Sequence, residues 1–261
     1  MAISTLDGYI AAVKQRLTWY KSGSRTSVAA LPTTVFDQAG NPGAGALAIG
    51  NTAAGIAPVS TDAGYPLIRT ITNTGYLSRV EFSSPVACRL ILFDRLFAAG
   101  AYAYNADTTL ASQPSYAGRV PGANYAGLEL WVEAVTAFTL VPAFEINYLD
   151  QDGAAGDTGS IAAPNALILG RCFQLPLAAG DNGIQQITRV RCITASAGTF
   201  NVMVLRRLWT GRVTIANAND VYDLLWTGMP QVYSTSALYV MVAADSTATS
   251  TPECAFEVAD G

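Results

Sequence analysis

From residue 65 onward, apolar and polar positions follow the short period of strands. GYLSRVEF, ACRLILFDRLF, LELWVEAVTAF and PAFEINYL are alternating or continuously apolar, rich in β-branched and aromatic residues, and separated by turn formers. That pattern predicts β-strands. Ahead of residue 24 the period changes. Leu6, Tyr9, Ile10, Val13, Leu17 and Tyr20 recur every three or four residues, which predicts an amphipathic helix. Ser4 or Thr5 can cap it, Asp7 suits its positive end, and Gly23 ends it. Residues 38–64 (QAGNPGAGALAIGNTAAGIAPVSTDAG) carry one charge, Asp62, and fit neither period. They are too apolar for a solvated linker and too irregular for a core, so an extended arm lying on a surface is expected.

The strand pattern occurs twice. Leu77-Ser78-Arg79-Val80 returns as Ile187-Thr188-Arg189-Val190, and Arg95-Leu96-Phe97 as Arg207-Leu208-Trp209. Leu130-Trp131-Val132 returns as Leu238-Tyr239-Val240, and Phe144-Glu145-Ile146 as Phe256-Glu257-Val258, all at offsets between 108 and 112 residues. Four colinear matches predict two copies of one β unit, each of ordinary domain size. The expected fold is all-β: two tandem, similar β-sandwich (jelly-roll-like) domains preceded by an N-terminal helix and an extended arm. The expected boundaries are 1–64 for helix and arm, 65–150 for the first sandwich, 151–164 for an acidic, glycine-rich linker, and 165–261 for the second sandwich. The Arg-Leu-aromatic triplets before Gly100 and Gly211 read as corners, with the ring plugging the core, the glycine permitting a turn, and the arginine in a simple surface role or, as the alternative, in a salt bridge or interface.

Composition narrows the function classes. Only 13% of the residues are charged and 51% are hydrophobic, against about 25% charged in an average soluble domain. Either a large ordinary core or outer surface buried in an assembly accounts for this, since interface cores are depleted in charge. Residues 1–25 hold Lys14, Arg16, Lys21 and Arg25 against Asp7, a balance of +3, while the remainder carries 11 arginines against 18 acids. An acidic body with a basic arm lacks the broad basic face of a nucleic-acid binder. It suits an arm that docks on an acidic protein surface, and Lys14, Arg16, Trp19, Tyr20, Lys21 and Arg25 are the candidate partner-binding residues. No apolar run reaches the roughly 18 residues of a membrane span. MAISTLDGYIAAV lacks the charged-then-apolar order of a signal peptide, so use without export is expected. Cys88, Cys172, Cys192 and Cys254 are scattered through strand-like contexts, so buried reduced thiols are expected.

Candidate chemistry is thin. The sequence has no histidine, which excludes Ser-His-Asp and Cys-His arrangements. Glu129 and Glu133 flank Trp131 and share one strand face, but at about 3.3 Å per residue they stand about 13 Å apart, beyond the roughly 5–9.5 Å that glycosidases use. Asp150, Asp152 and Asp157 echo a calcium loop without its glycine at position six or its closing glutamate; turn chemistry explains them. Gly43-Ala44-Gly45-Ala46-Leu47-Ala48 fits G-x-G-x-x-A, but it follows Asn41-Pro42 instead of a strand and no helix comes after it. The chain is expected not to be an enzyme and to hold neither cofactor nor metal.

MAISTLDGYIAAVKQRLTWYKS, FDQAGNPGAGALA, GYLSRVEFSSPVACRLILFDRLFAAGAY and LASQPSYAGRVPG together resemble a family of virion structural proteins of tailed bacteriophages, described as decoration or minor capsid proteins. The similarity extends through LLWTGMPQVYSTSALYVMVAADSTAT. The resemblance implies a role on the virion and supplies no catalytic residues. On this reading the chain is a capsid decoration, or cement, protein on the outer head surface, assembled in the host cytoplasm. It bridges subunits of the major capsid protein as a dimer or trimer, without binding nucleic acid or membrane. The alternatives are a neck or tail component, distinguished by a low copy number, and a host-carbohydrate-binding module. The last expects Trp131, Trp209 or Trp226 to line an exposed groove.

Overall fold

The computed structural model describes residues 3–29, 31–194, 197–247 and 249–261. The chain opens with a six-residue helix, α1 (Leu6–Ala11), followed by β1 (Val13–Lys21), β2 (Arg25–Thr26), β3 (Gly40–Asn41) and β4 (Asn51–Ile56). Then come β5 (Gly75–Ser84), β6 (Cys88–Ala103), β7 (Asp107–Thr109), β8 (Leu128–Thr136), β9 (Ala143–Asp150), β10 (Ala155–Asp157) and β11 (Ile161–Ala162). The last part holds β12 (Cys172–Leu175), β13 (Ile184–Cys192), β14 (Thr199–Val213), β15 (Ala218–Tyr222), a single helical turn α2 (Leu224–Thr227), β16 (Gln231–Val232), β17 (Leu238–Ala244), β18 (Thr249–Ser250) and β19 (Glu253–Asp260). The protein is all-β, as the strand periods predict.

Two compact units form, and neither is one half of the sequence. The first comprises residues 1–46, 59–94 and 208–261; the second comprises 47–58 and 95–207. The long strands β6 and β14 pass from one unit to the other, after Asp94 and after Arg207.

The first unit is a two-layer sandwich. One layer has the strand order β15-β5-β19-β1-β3, with β16 also on β5. The other contains β17 paired with the first part of β6, Leu238 opposite Asp94 and Ala244 opposite Cys88. Leu17 and Trp19 of β1, Val80 and Phe82 of β5, and Phe256 and Val258 of β19 meet Leu90, Leu92, Val240 and Val242 in one buried cluster. In the second unit, one layer has the order β10-β9-β13-β7, with β11 also on β9. The other contains β8 between β12 and β14. Phe144 of β9 touches Phe173 of β12 at 5.6 Å and Phe200 of β14 at 4.7 Å between ring centres, fastening the layers.

The repeat in the sequence reappears as element order: β5, β6, β8 and β9 are followed by β13, β14, β17 and β19. The pairing is exchanged between the copies. β5 pairs with β19 and β6 with β17, while β13 pairs with β9 and β14 with β8. The expected boundaries at residues 65–150 and 165–261 therefore do not coincide with the units. The expected linker 151–164 is instead β10 and β11, folded back onto β9. Asp150 makes the turn, its Oδ1 accepting from the Asp152 and Ala154 N–H groups. Side-chain periodicity fixes which face of a strand is buried and is silent on which strand lies beside it.

The expected N-terminal helix is also corrected. It ends at Ala11, where Lys14 Nζ binds the freed carbonyls of Tyr9, Ile10 and Ala12. Residues 13–21 form a strand that lies between β19 and β3. Leu17, Trp19 and Lys21 face inward while Arg16, Thr18 and Tyr20 face outward, a period of two. Leu17 and Tyr20 satisfy the helical spacing as well, but burial of Leu17 and Trp19 in the core between the two layers wins over helix propensity. The arm at 38–64 lies on its own chain: Gly45 and Gly64 leave room for the Phe36 ring, which packs on Tyr65 at 4.8 Å. Its middle forms β4.

The two Arg-Leu-aromatic stretches are not corners. Both glycines lie inside long strands, β6 and β14. At Gly100, φ is +151° and a Cβ would strike Asn201 Oδ1 and the Phe200 carbonyl; at Gly211 it would strike the Trp209 ring itself. The aromatic plugs are as expected: Phe97 and Trp209 are buried.

Candidate functional site

The six candidate partner-binding residues do not share a surface. Trp19 is 3% exposed and belongs to the core; Lys21 is 2% exposed. Lys21 Nζ donates to the carbonyls of Phe36, Pro42 and Gly43, fastening the arm. Burial pushes its ammonium down to about 8, against a smaller opposing pull from Asp37. Arg25 is clamped by the Thr34 carbonyl and Asp37. Lys14 caps α1 and lies 4.4 Å from the centre of the Tyr9 ring. Only Arg16 and Tyr20 are brought together on an open face, and with them come residues that the sequence does not single out.

That face is the outer side of the sheet of the first unit. Strand register aligns Tyr20, Glu253, Ser83 and Asn219 in one row across β1, β19, β5 and β15. The neighbouring row is Thr18, Ala255, Glu81 and Val221. Ala255 is the smallest side chain in the two rows, and a depression of about 300 Å³ opens there. Arg16 forms its rim through a two-point ion pair with Glu81. The guanidinium hydrogen bond holds the Glu81 carboxyl below the usual carboxylate range. Glu253 has no ion pair among the described residues.

A second open feature lies beside the edge strand β15. Asp223 caps α2, its Oδ1 accepting from the N–H groups of Leu225 at 3.0 Å and Trp226 at 3.3 Å. Thr227 is buried and its hydroxyl bonds back to the Leu224 carbonyl. Gly228 closes the turn at φ 66°, the left-handed conformation glycine accepts without strain. The result is a pinned turn that holds Leu225, 82% exposed, and Trp226, 76% exposed, in solvent. Ile215 and Val221 are exposed in the same segment, Leu6 and Ile10 are exposed on α1, and Val13 is exposed at the start of β1. The sequence carries a signal for the first of these: three consecutive large apolar residues, Leu224 to Trp226, between an Asp cap and a Gly stop leave no way to bury all three.

The carboxylates around Trp131 are used structurally. Glu129 accepts from Trp131 Nε1 at 2.8 Å and pairs with Arg207, while Glu133 is fully buried against Arg95 at 3.3 Å. Both arginines of the repeated triplets thus hold β8 carboxylates, the salt-bridge alternative to a simple surface role. Trp131 and Trp209 are buried, and Trp226 alone of the three is exposed. All four cysteines are buried and unbridged. No helix among the described residues is long and apolar enough to cross a membrane.

No family model and no curated protein matches this chain. Among solved structures, it is similar at 9% identity to the VP2 subviral particle of infectious bursal disease virus, covering 96% of this chain and 81% of that one with a TM-score of 0.18. The T13 particle of the same virus gives 10% identity, 96% and 78% coverage, and a TM-score of 0.19. A likeness of that size identifies neither fold nor function.

Proposed function

We propose that this chain is a virion structural protein of a tailed bacteriophage, a decoration protein that adheres to the outer capsid and bridges its subunits. The observation that carries the reading is the pinned turn at Asp223–Gly228, which holds Leu225 and Trp226 in water. Leaving two large apolar side chains exposed forgoes roughly 1.5–3 kcal/mol each of burial, and a capped turn fixes them before any partner arrives. Pre-organised apolar anchors are what interface hot spots are made of. Asp220 and Asp223 flank them, so the fitting occupant is an apolar pocket with basic groups at its rim, on a capsid subunit. Low overall charge and the resemblance of the N-terminal and β6 stretches to phage virion proteins support the same reading.

The test is co-sedimentation of the purified protein with phage heads that lack it. Wild type is expected to pellet with heads in hundreds of copies, and Leu225→Ser/Trp226→Ser to stay in the supernatant while keeping its circular dichroism. Retention of binding by the folded double variant would remove the assignment of the turn. A dozen copies or fewer per particle would favour the neck or tail.

A further inference from the structure

We propose that the depression on the outer face of the β15-β5-β19-β1 sheet is a saccharide site that receives one ring of a neutral glycan. It is distinct from the pinned turn and does not depend on the capsid reading. Its shape comes from side-chain size: Ala255 makes the floor where every neighbouring outward position carries a longer group. Its volume, about 300 Å³, lies at the lower end of ligand sites, enough for a single small ring.

The chemistry fits a polyol better than other ligands. Tyr20 is 46% exposed and offers an aromatic face, the surface on which the apolar C–H face of a sugar stacks. The remaining members of its row, Glu253, Ser83 and Asn219, supply a carboxylate, a hydroxyl and an amide. None of these three side chains is spent on a hydrogen bond within the described residues. Glu253 and Ser83, next to Tyr20 in the row, offer acceptors and a donor for neighbouring ring hydroxyls, and Asn219, about 14 Å from Tyr20 at the usual strand spacing, marks the far end of the depression. Arg16 is held in place by Glu81, so it presents its free N–H groups without a large ordering cost. Glu81 is already paired with both Arg16 and Arg79, which leaves Glu253 as the unpaired charge of the depression among the described residues and disfavours phosphate, sulfate and nucleic-acid backbones. The site is built on four paired strands, which hold the groups rigid.

The experiment uses the full chain in isolation from any virion. Glucose, galactose, N-acetylglucosamine and their short oligomers are titrated by saturation-transfer NMR and calorimetry, with a lysine-rich peptide as the competing probe. At least one saccharide is expected to bind with a millimolar or tighter Kd. Tyr20→Ala and Glu253→Gln are each expected to weaken it at least tenfold, and Trp226→Ser to leave it unchanged. Glu253 is exposed and Gln is isosteric, so that variant reports on the site even where Tyr20→Ala perturbs folding. Silence across the panel, binding untouched by Glu253→Gln, or preference for the peptide would overturn the proposal. None of these results bears on head binding, which the pinned turn governs.

Discussion

At the scale of single residues, the structure spends most of its sparse charge on holding strands together. The clearest case is Glu133, which accepts from Arg95 and from Asn201 Nδ2, all three fully buried. Removing one partner strands a desolvated charge, which costs about 3–5 kcal/mol. Glu133→Ala is therefore expected to lower the urea unfolding free energy by that amount. Arg95→Met/Glu133→Leu should recover most of it, because an apolar pair of similar volume carries no desolvation penalty. Lys21 makes a prediction of a different sign. Its folded-state pKa, about 8, lies below the unfolded value of about 10.4, so between these values the unfolded chain binds more protons. Its contribution to stability therefore rises with pH across that window. Comparing wild type with Lys21→Met, the difference in unfolding free energy should grow in favour of wild type from pH 7.5 to pH 10. A flat difference would mean the buried amine titrates normally.

At the scale of elements, the N-terminal segment is part of the sandwich. β1 makes eight consecutive register pairs with β19, and its Leu17 and Trp19 lie in the core of the first unit. Trp19→Ala is expected to cost about 3–5 kcal/mol, a large share of the 5–15 kcal/mol available to a typical domain. Deleting residues 1–21 should abolish the cooperative thermal transition of that unit instead of leaving a folded body that fails to dock. A truncated chain that still melts cooperatively would restore the arm to a peripheral role. The comparison shows what a sequence pattern can carry. Strand identity was legible at β5, β6, β8 and β9 and, through the repeat, at β13, β14, β17 and β19, because period-two alternation is local; β10 and β11 are too short to show a period and read as a linker. Residues 13–21 misled because Val13, Leu17 and Tyr20 satisfy a helical spacing, and because an inward lysine, Lys21, hides the alternation of Leu17 and Trp19. The depression was legible only at Arg16 and Tyr20. Glu81, Asn219 and Glu253 join them through pairings across 65 to 233 residues of chain, which no local period encodes.

At the scale of the whole molecule, the exchange of strands between the two copies decides how the chain can be divided. Four long pairings, β5 with β19, β6 with β17, β9 with β13 and β8 with β14, each join the first copy of the repeat to the second. Tandem domains would survive separation, because each would keep its own partners. Here a fragment of residues 1–150 keeps β5, β6, β8 and β9 but loses the long partner of every one, β6 retaining only the short β4, which leaves open edges and uncovered apolar faces that favour aggregation. Residues 151–261 suffer the same loss. Each fragment alone is therefore expected to lack a cooperative unfolding transition and to show the narrow amide dispersion of an unfolded chain. Mixed during refolding, the two should complement, because the break falls in the exposed turn after Asp150, where the backbone crosses no core. Complementation should be slow, since every productive contact is between distant segments and closure must precede it. Either half folding by itself would show that pairing within a copy competes with the exchanged pairing.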